Sequence, residues 1–273
     1  MALWQDGNVV TEDGKLHYYR TGGQKPPILL LHGFLDNGLC WTRVAEALES
    51  EYDVIMPDAR GHGNSSDYPP IKFSLKEMAI DLIKIIQKLG LKTPVLLGHS
   101  MGAFVAAYTA ASVPPLVGKI ILEDPEWDDK SLNATKEERT ARAEATRNRI
   151  RGWKSQTPQQ LVTEYRRSQP VNWHKTEYAT WSDAKLLVSP NATGYISADP
   201  VPLTDIVSKI ICPALLITGD PQEGAYIDTA DSQKIITANP RIQVAQIAGA
   251  GHDVHRDKFD PYMQAVKQFL GNS

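Results

Sequence analysis

Ser100 stands in Gly98-His99-Ser100-Met101-Gly102, entered from the apolar run Pro94 to Leu97 and left through a small-residue stretch from Met101 to about Ala111. A strand arriving and a helix leaving at one point force a turn too sharp for side chains at its flanks, and Gly98 and Gly102 remove that bulk. Such a turn lifts the Ser100 hydroxyl above the sheet edge. It also aims the N–H of Met101, at a helix N-terminus, toward any oxyanion formed there. These residue types predict nucleophilic chemistry at Ser100. A serine hydroxyl is a poor nucleophile at neutral pH, so an imidazole must accept its proton and a carboxylate must hold that imidazole in the right tautomer. Of the seven histidines, His252 is the best placed. Gly249-Ala250-Gly251-His252 follows the last expected strand (Ile242 to Ile247) and precedes the last expected helix (Asp257 to Leu270), which brings it to the sheet edge of Ser100. His255 is the alternative base. With Asp253 it also raises the question of a metal site, but no third compact ligand cluster supports one. His99 and His62 read as braces of their loops, and His17 and His174 have no motif around them.

The elements that must position these groups follow from apolar patterning. Short strand-like pieces (Asn8 to Thr11, Lys15 to Arg20) precede the fully apolar Ile28-Leu29-Leu30-Leu31, a hairpin leading into a buried sheet. Further apolar runs at Val54 to Met56, Val95 to Leu97, Ile120 to Leu122, Ala214 to Thr218 and Ile242 to Ile247 are separated by helical stretches, which specifies a parallel, helix-covered α/β sheet. The clearest helix is Ser74 to Leu89. Ser74 and Glu77 make a capping box, Leu75, Met78, Leu82, Ile85, Ile86 and Leu89 form one apolar stripe, and Gly90 stops it.

Between Pro125 and about Pro202 this rhythm breaks into a charged helix (Asp128 to Arg151), a second from Thr157-Pro158 and a third around Lys175 to Leu187. The segment 125–202 reads as a helical cap inserted into a core made of 1–124 and 203–273. Trp127, Trp153, Trp173 and Trp181 fall in it, with Tyr165, Tyr178 and Tyr195. Trp153, Tyr165 and Trp181 are the residues expected to line a substrate pocket; the alternative is that such rings form the cap's own small core. Arg147-Asn148-Arg149-Ile150-Arg151 reads as a solvated helix face.

His32-Gly33-Phe34 after one strand, Asp58-Ala59-Arg60-Gly61-His62-Gly63-Asn64-Ser65 after the next, Gly98-His99-Ser100-Met101-Gly102 and Gly249-Ala250-Gly251-His252 together resemble the α/β-hydrolase superfamily, in its order and over nearly the whole chain outside the cap. The resemblance implies that fold, and an oxyanion hole made by the N–H groups of Phe34 and Met101, with Gly33 letting the loop approach. It leaves Asp58 to Ser65 as scaffold. Many members place the triad acid in a Gly-x-x-Asp turn after the penultimate strand, where this chain has Gly219-Asp220-Pro221-Gln222 and an amide that cannot orient an imidazolium by charge. A minority, including haloalkane dehalogenases and lactonases similar to those that open zearalenone, carry the acid after the strand that follows the nucleophile helix. That position is Asp124, in Glu123-Asp124-Pro125, and Asp220, Glu223 and Glu126 are the alternatives. Asp220 also suits a turn before Pro221, and Glu123 a salt bridge.

Ester or lactone hydrolysis through an acyl-enzyme, without cofactor or metal, is the reading that results. Serine rather than aspartate at position 100 argues against dehalogenase and epoxide-hydrolase chemistry. Thioesterase, C–C hydrolase and perhydrolase reactions use the same parts, and a ligand receptor on a hydrolase scaffold is the rival of another class. The expected partner is a small apolar ester or lactone, with a homodimer left open. The 273 residues suffice for a large core, and Cys40 and Cys212, far apart, read as free thiols in a reducing compartment. No run approaches the roughly 20 apolar residues of a membrane helix, and the chain's start lacks a basic-then-apolar segment, so a cytoplasmic protein is expected. With 29 basic and 32 acidic residues, net −3, no basic field for nucleic acid stands out.

Overall fold

The computed structural model describes residues 4–125, 132–169 and 171–271. Eight strands, β1 (Gln5–Val10), β2 (Lys15–Arg20), β3 (Pro27–Leu31), β4 (Asp53–Pro57), β5 (Val95–His99), β6 (Lys119–Glu123), β7 (Ala214–Thr218) and β8 (Ile242–Gln246), form one sheet in the order β1-β2-β4-β3-β5-β6-β7-β8. The β1–β2 hairpin joins β4 antiparallel, and every later pairing is parallel. Helices α1 (Thr42–Leu48), α2 (Leu75–Lys88) and α3 (Met101–Ser112) follow β3, β4 and β5. Between β6 and β7 come α4 (Lys136–Trp153), α5 (Pro158–Ser168), α6 (Lys175–Leu187), α7 (Gly194–Ser197) and α8 (Leu203–Val207). Then α9 (Thr229–Ala238) precedes β8, and α10 (Val254–Asp257) and α11 (Phe259–Gly271) end the chain.

The apolar runs lie where both sheet faces are covered, which is why they need not alternate with polar residues. Leu29, Leu31, Leu96, Ile120, Leu122 and Leu216 pack on one face with α2, α3, α8 and α9. Their chain neighbours Ile28, Leu30, Leu97, Ile121, Leu215 and Ile217 point the other way, against α1 and α11. Local signals set the helix ends. Ser74 accepts the N–H of Glu77 at the start of α2 and Gly90 turns left-handed (φ 64°) after it. Capping boxes start α4 (Thr135 with Glu138) and α5 (Thr157 with Gln160), the latter followed by Pro158.

The final helix expected over Asp257 to Leu270 runs Phe259–Gly271, and a separate turn of helix, Val254–Asp257, precedes it, the two parted where Lys258 leaves helical geometry (φ −137°, ψ 64°). At that break Asp257 turns back to accept the N–H of Gly251 at 2.8 Å, tying α10 to the loop before His252. Glu126, Trp127 and the expected helix start at Asp128 lie outside the described residues. Among the helices between β6 and β7, Leu161, Trp173, Tyr178 and Trp181 form a buried cluster with Trp153 and Tyr165 against it. A second cluster joins Ile150, Val188 and Ala192 to Tyr68 and Phe73 of the β4–α2 connection, seating these helices on the sheet domain. Among the described residues no helix is long and apolar enough to cross a membrane.

Candidate active site

The parallel strands end in register, with Leu31 opposite Gly98, His99 opposite Glu123 and Thr218 opposite Gln246, so the loops after them share one edge. Ser100 follows the central β5. Its backbone is strained (φ 51°, ψ −117°), a cost of about 1–3 kcal/mol that the surroundings must hold in place. A Cβ on Gly98 would meet the carbonyl of Gly102 at 2.3 Å, and one on Gly102 the carbonyl oxygen of Leu31 at 2.1 Å. Only glycine fits either flank. The N–H of Ser100 donates to the carbonyl of Glu123 at 2.9 Å, locking the turn to the end of β6.

One residue beyond that carbonyl, Asp124 is fully buried and also left-handed (φ 36°). Its carboxylate accepts the Nδ1–H of His252 at 2.7 Å and the N–H groups of Tyr226 at 2.9 Å and Ile227 at 3.1 Å. With Nδ1 committed to Asp124, the lone pair of His252 resides on Nε2. Burial opposes charging His252, but the hydrogen bond to Asp124 and the carboxylates of Asp253, Asp124 and Glu123 outweigh it and raise its pKa. The His252 loop comes from β8 and must cross the end of β7 to reach Asp124. Gly219 permits this, since a Cβ there would lie 2.4 Å from the carbonyl oxygens of Ala250 and Gly251. His99, inside the serine turn, donates from Nε2 to the His252 carbonyl at 3.0 Å. Burial first, and then the neighbouring histidines against the pull of Glu123 and Asp253, lower its pKa to about 4, so it braces this loop as a neutral ring. Asp220 instead accepts the N–H of Gln222 at 3.0 Å within its own turn, and Glu223 is exposed.

On the other side of Ser100, the β3 loop brings Gly33 so close that a Cβ on it would stand 3.4 Å from the Cβ of Ser100 and 2.6 Å from Nδ1 of His99. Phe34 follows, then Leu35 with φ 71°. The N–H of Leu35 donates to Nε2 of His62 at 3.3 Å, while Nδ1 of His62 donates to the carbonyl of Arg60 at 2.9 Å. Burial, with help from His32, pushes the pKa of His62 down to about 3, the neutral state this accepting role requires. Met101 opens α3 directly after Ser100, its side chain buried beneath the turn. An anion at Ser100 would thus lie between a helix N-terminus and a tightly drawn loop.

Ser100 and His252 face one cavity of about 390 Å³. Its walls are not those the aromatic content suggests. Phe34, Phe104, Tyr195 and Tyr226 line it, whereas Trp153, Tyr165 and Trp181 do not. Tyr165 instead packs its tilted ring 4.4 Å from Trp181 and 5.1 Å from Trp173, centroid to centroid, because these rings find their burial against one another within the helices between β6 and β7. Nor is the cavity simply apolar: Arg139, Arg142 and Arg149 line it from α4. In the basic run, Arg147 and Arg151 pair with Glu144, Arg147 also donating to the carbonyl of Pro190, whereas Arg149 lines the cavity. Sequence reasoning missed this stripe. Its signal was an arginine at each of 139, 142 and 149, spacings of three and seven, in a helix whose buried apolar residues are only Ala143 and Ile150.

Behind the site, α6 is fastened to both loops by buried charges. Lys185 donates to the carbonyl of Leu35 at 3.0 Å and to Asp36 at 3.1 Å, and Arg256 donates to Asp36 at 3.0 Å and to Asp253 at 2.7 Å. Burial works against the charge of Asp36, yet Arg256 and Lys185 hold its pKa well below the usual carboxylate range. Asp36, His99 and Asp253 bring potential ligand atoms within 4.8 Å of one another, but both carboxylates are engaged by these cations. His255 is bound to Glu123 at 2.8 Å and stacked on Trp41, which removes it from the reacting face.

Residues 26–259 match the family model described as "alpha/beta hydrolase fold". The N-formylmaleamate deformylase of Pseudomonas putida is 27% identical over 97% of this chain and 96% of its own. Among solved structures, a thermophilic esterase from Thermogutta terrifontis, with malate bound, superposes with a TM-score of 0.75 at 25% identity, covering 97% of this chain and 98% of that one. An E-2-(acetamidomethylene)succinate hydrolase has the same fold, with a TM-score of 0.82 at 21% identity over 98% and 99% of the two chains.

Proposed function

The chain belongs to the α/β-hydrolase fold family, and on that premise we propose that it is a serine hydrolase cleaving the acyl bond of a small carboxylic ester or lactone through an acyl-enzyme. The observation that carries this reading is the pairing of His252 with the buried, doubly amide-bonded Asp124 beside the strained Ser100 turn. In the proposed cycle, the Ser100 oxygen bonds to the acyl carbon as its proton passes to Nε2 of His252. The N–H groups of Phe34 and Met101 stabilise the oxyanion, each contributing a factor of about 100 to 1,000 in rate. Collapse breaks the bond to the leaving oxygen, which takes the proton from His252. Water, deprotonated by the same imidazole, then attacks the acyl-enzyme, and the acid departs as Ser100 recovers its proton. Asp124 keeps the imidazole in its tautomer and stabilises the imidazolium. The segment 125–202 acts as a cap over this chemistry, and Asp220, Glu223 and His255 take no part.

A deformylase among the full-length relatives favours a second substrate type, an N-acyl compound whose nitrogen leaves in place of an alkoxide. The same triad serves it, since His252 can protonate either leaving group. Fluorophosphonate labelling of Ser100 together with turnover of short p-nitrophenyl esters tests the reading. Labelling and turnover that both vanish in Ser100→Ala support it; a Ser100→Ala protein working undiminished overturns it. Side-by-side rates for linear esters, lactones and N-formyl amides rank the substrate types.

A further inference from the structure

Two fully buried carboxylates follow one another at the end of β6. Asp124 takes the imidazole of His252, and Glu123 reaches the same loop three residues later. Its Oε1 accepts both the backbone N–H of His255 at 2.9 Å and the Nδ1–H of that ring at 2.8 Å. Its backbone carbonyl accepts the N–H of Ser100 at 2.9 Å. The nucleophile's turn and the base's loop are therefore fastened to the two ends of one residue. Burial opposes the charge of Glu123, but chiefly His255, through its ring and its two hydrogen bonds, outweighs it and holds the carboxyl below its ordinary range. Ionised, the group is an acceptor only. Behind the reacting face the rings stand in file: His252 lies 4.5 Å from His99, His99 5.5 Å from His255, and His255 4.4 Å from Trp41, centroid to centroid. His99 donates to the His252 carbonyl, so the ring that braces His252 itself leans on the ring that Glu123 holds.

We propose that Glu123 is a positioning residue of the reaction, its side chain fixing the loop 252–255 so that Nε2 of His252 meets the Ser100 hydroxyl. The inference rests on the hydrolase reading of Ser100 and deepens it. Asp124 cannot do this alone. A carboxylate that grips Nδ1 sets the tautomer and the direction of the ring, yet a ring on an unfastened backbone can keep that bond while Nε2 swings away from the nucleophile. Glu123 supplies the missing constraint on the backbone, from the strand end that already holds Ser100. His255 takes no proton in the cycle; it is the point by which the loop is gripped. A buried pair of this kind adds little stability over apolar side chains of the same shape, because desolvation consumes the attraction. What it does add is direction, since a hydrogen bond has a preferred length and angle and an apolar contact has neither. Direction matters at this place, where a misplacement of about 1 Å costs up to about 100-fold in rate.

Three substitutions separate position from charge and from stability. Glu123→Met keeps the length of the side chain and removes the acceptor, Glu123→Gln keeps an acceptor oxygen without the charge, and Glu123→Asp keeps the charge but draws it back by one methylene. On a p-nitrophenyl ester, kcat should fall about 10- to 100-fold in Glu123→Met with KM within about twofold. Glu123→Gln should recover most of that loss, and Glu123→Asp should fall about tenfold. A pair serving stability alone would lower the denaturant midpoint and leave kcat where it was; that result overturns the proposal. So does a loss in Glu123→Gln as large as in Glu123→Met, which would make the charge and not the anchor the cause. If Glu123→Met does not fold, an undiminished kcat in Glu123→Asp overturns it. Proton NMR gives a readout free of turnover: the Nδ1 proton of His252, identified by its absence from His252→Gln, should be sharp in the unaltered protein and in Glu123→Gln, and broadened by exchange in Glu123→Met or, failing that, in Glu123→Asp. A resonance equally sharp in all of them overturns the proposal. Should Ser100 resist the fluorophosphonate, the hydrolase reading fails, and the resonance still decides whether Glu123 holds His252 in place.

Discussion

The two walls of the cavity are held by different physics. On the sheet side, Ser100 and Asp124 sit one residue past the ends of β5 and β6, and backbone N–H groups and glycine-sized gaps fix their positions. On the other side, α4 and α6 meet the sheet domain through Ile150 with Tyr68 and Phe73, and through Lys185, Arg256 and their carboxylates. Backbone donors at strand ends cannot move without undoing the sheet, whereas long charged side chains can exchange partners. The proposed reaction centre thus lies on the stiff wall and the groups that would choose a substrate on the adaptable one. The difference teaches where substitutions should act: on the sheet side they should change kcat, on the helical side KM, ligand choice or stability.

The largest effect should come from Asp124→Asn, which keeps the shape of the carboxylate but loses its charge and the acceptor that selects the Nδ1–H tautomer. Turnover should fall by about 10⁴, measured with any ester the enzyme accepts. The pH profile supplies an independent reading. His252 must be neutral to act, and Asp124 and the neighbouring carboxylates raise its pKa above that of an ordinary imidazole despite burial, so kcat/KM should rise with pH through that raised value and then level off. In Asp124→Asn, burial acts with less opposition and the acid limb should move to lower pH. An unmoved limb would mean that another group sets it.

Lys185→Met should come next, because Lys185 belongs to α6 yet touches the carbonyl next to Phe34. Removing it leaves Asp36 with Arg256 alone and frees the left-handed Leu35 from one of its two anchors. Breaking a buried pair costs about 3–5 kcal/mol of stability, visible in denaturant unfolding. If the pair also positions the oxyanion loop, kcat should fall about 10- to 100-fold with KM little changed, and Lys185→Arg should recover part of it. A loss confined to stability would make the division between the two walls sharper than drawn above. Tyr165→Ala tests the helical side alone: the ring packs at a tilt against both Trp173 and Trp181, so stability should drop by about 1–3 kcal/mol while kcat/KM holds. A rise in KM at unchanged stability would return Tyr165 to the substrate wall.

The sheet side was also the legible side. Runs such as Ile28 to Leu31 and Val95 to Leu97 can be buried strands and little else once glycine and proline bound them, and the pentad around Ser100 carries its geometry in its glycines. His252 followed from strand order. The choice of Asp124 as the acid rests on the resemblance to members that carry it after the strand following the nucleophile helix, with an amide at Gln222, and its Tyr226 and Ile227 donors have no sequence signature, since any residue has an N–H. The helical side was harder to read because its aromatic residues report burial without saying against what. Trp153, Tyr165 and Trp181 satisfy one another, and the cavity face of α4 is written in arginines that look the same as those on its outer face. Buried ion pairs between residues as distant in sequence as Asp36 and Arg256 leave no local pattern at all.

The smallest effect, and a sensitive test of the sheet wall, should be that of Asp220→Asn. Asp220 lies after β7, where relatives of the common pattern keep an acid nearby, but its carboxylate accepts the N–H of Gln222 and starts the short turn Pro221–Glu223. Asparagine serves that capping role about as well as aspartate, and the turn is exposed, so stability should shift by less than about 0.5 kcal/mol and turnover by less than about twofold. The two carboxylates then differ by nearly the whole effect of losing the acid, although they stand at the ends of adjacent strands. Should Asp220→Asn lose turnover on the scale expected for Asp124→Asn, the carboxylate on His252 would not be the one that orients it during the reaction, and the loop after β7 would have to close on the imidazole when substrate binds.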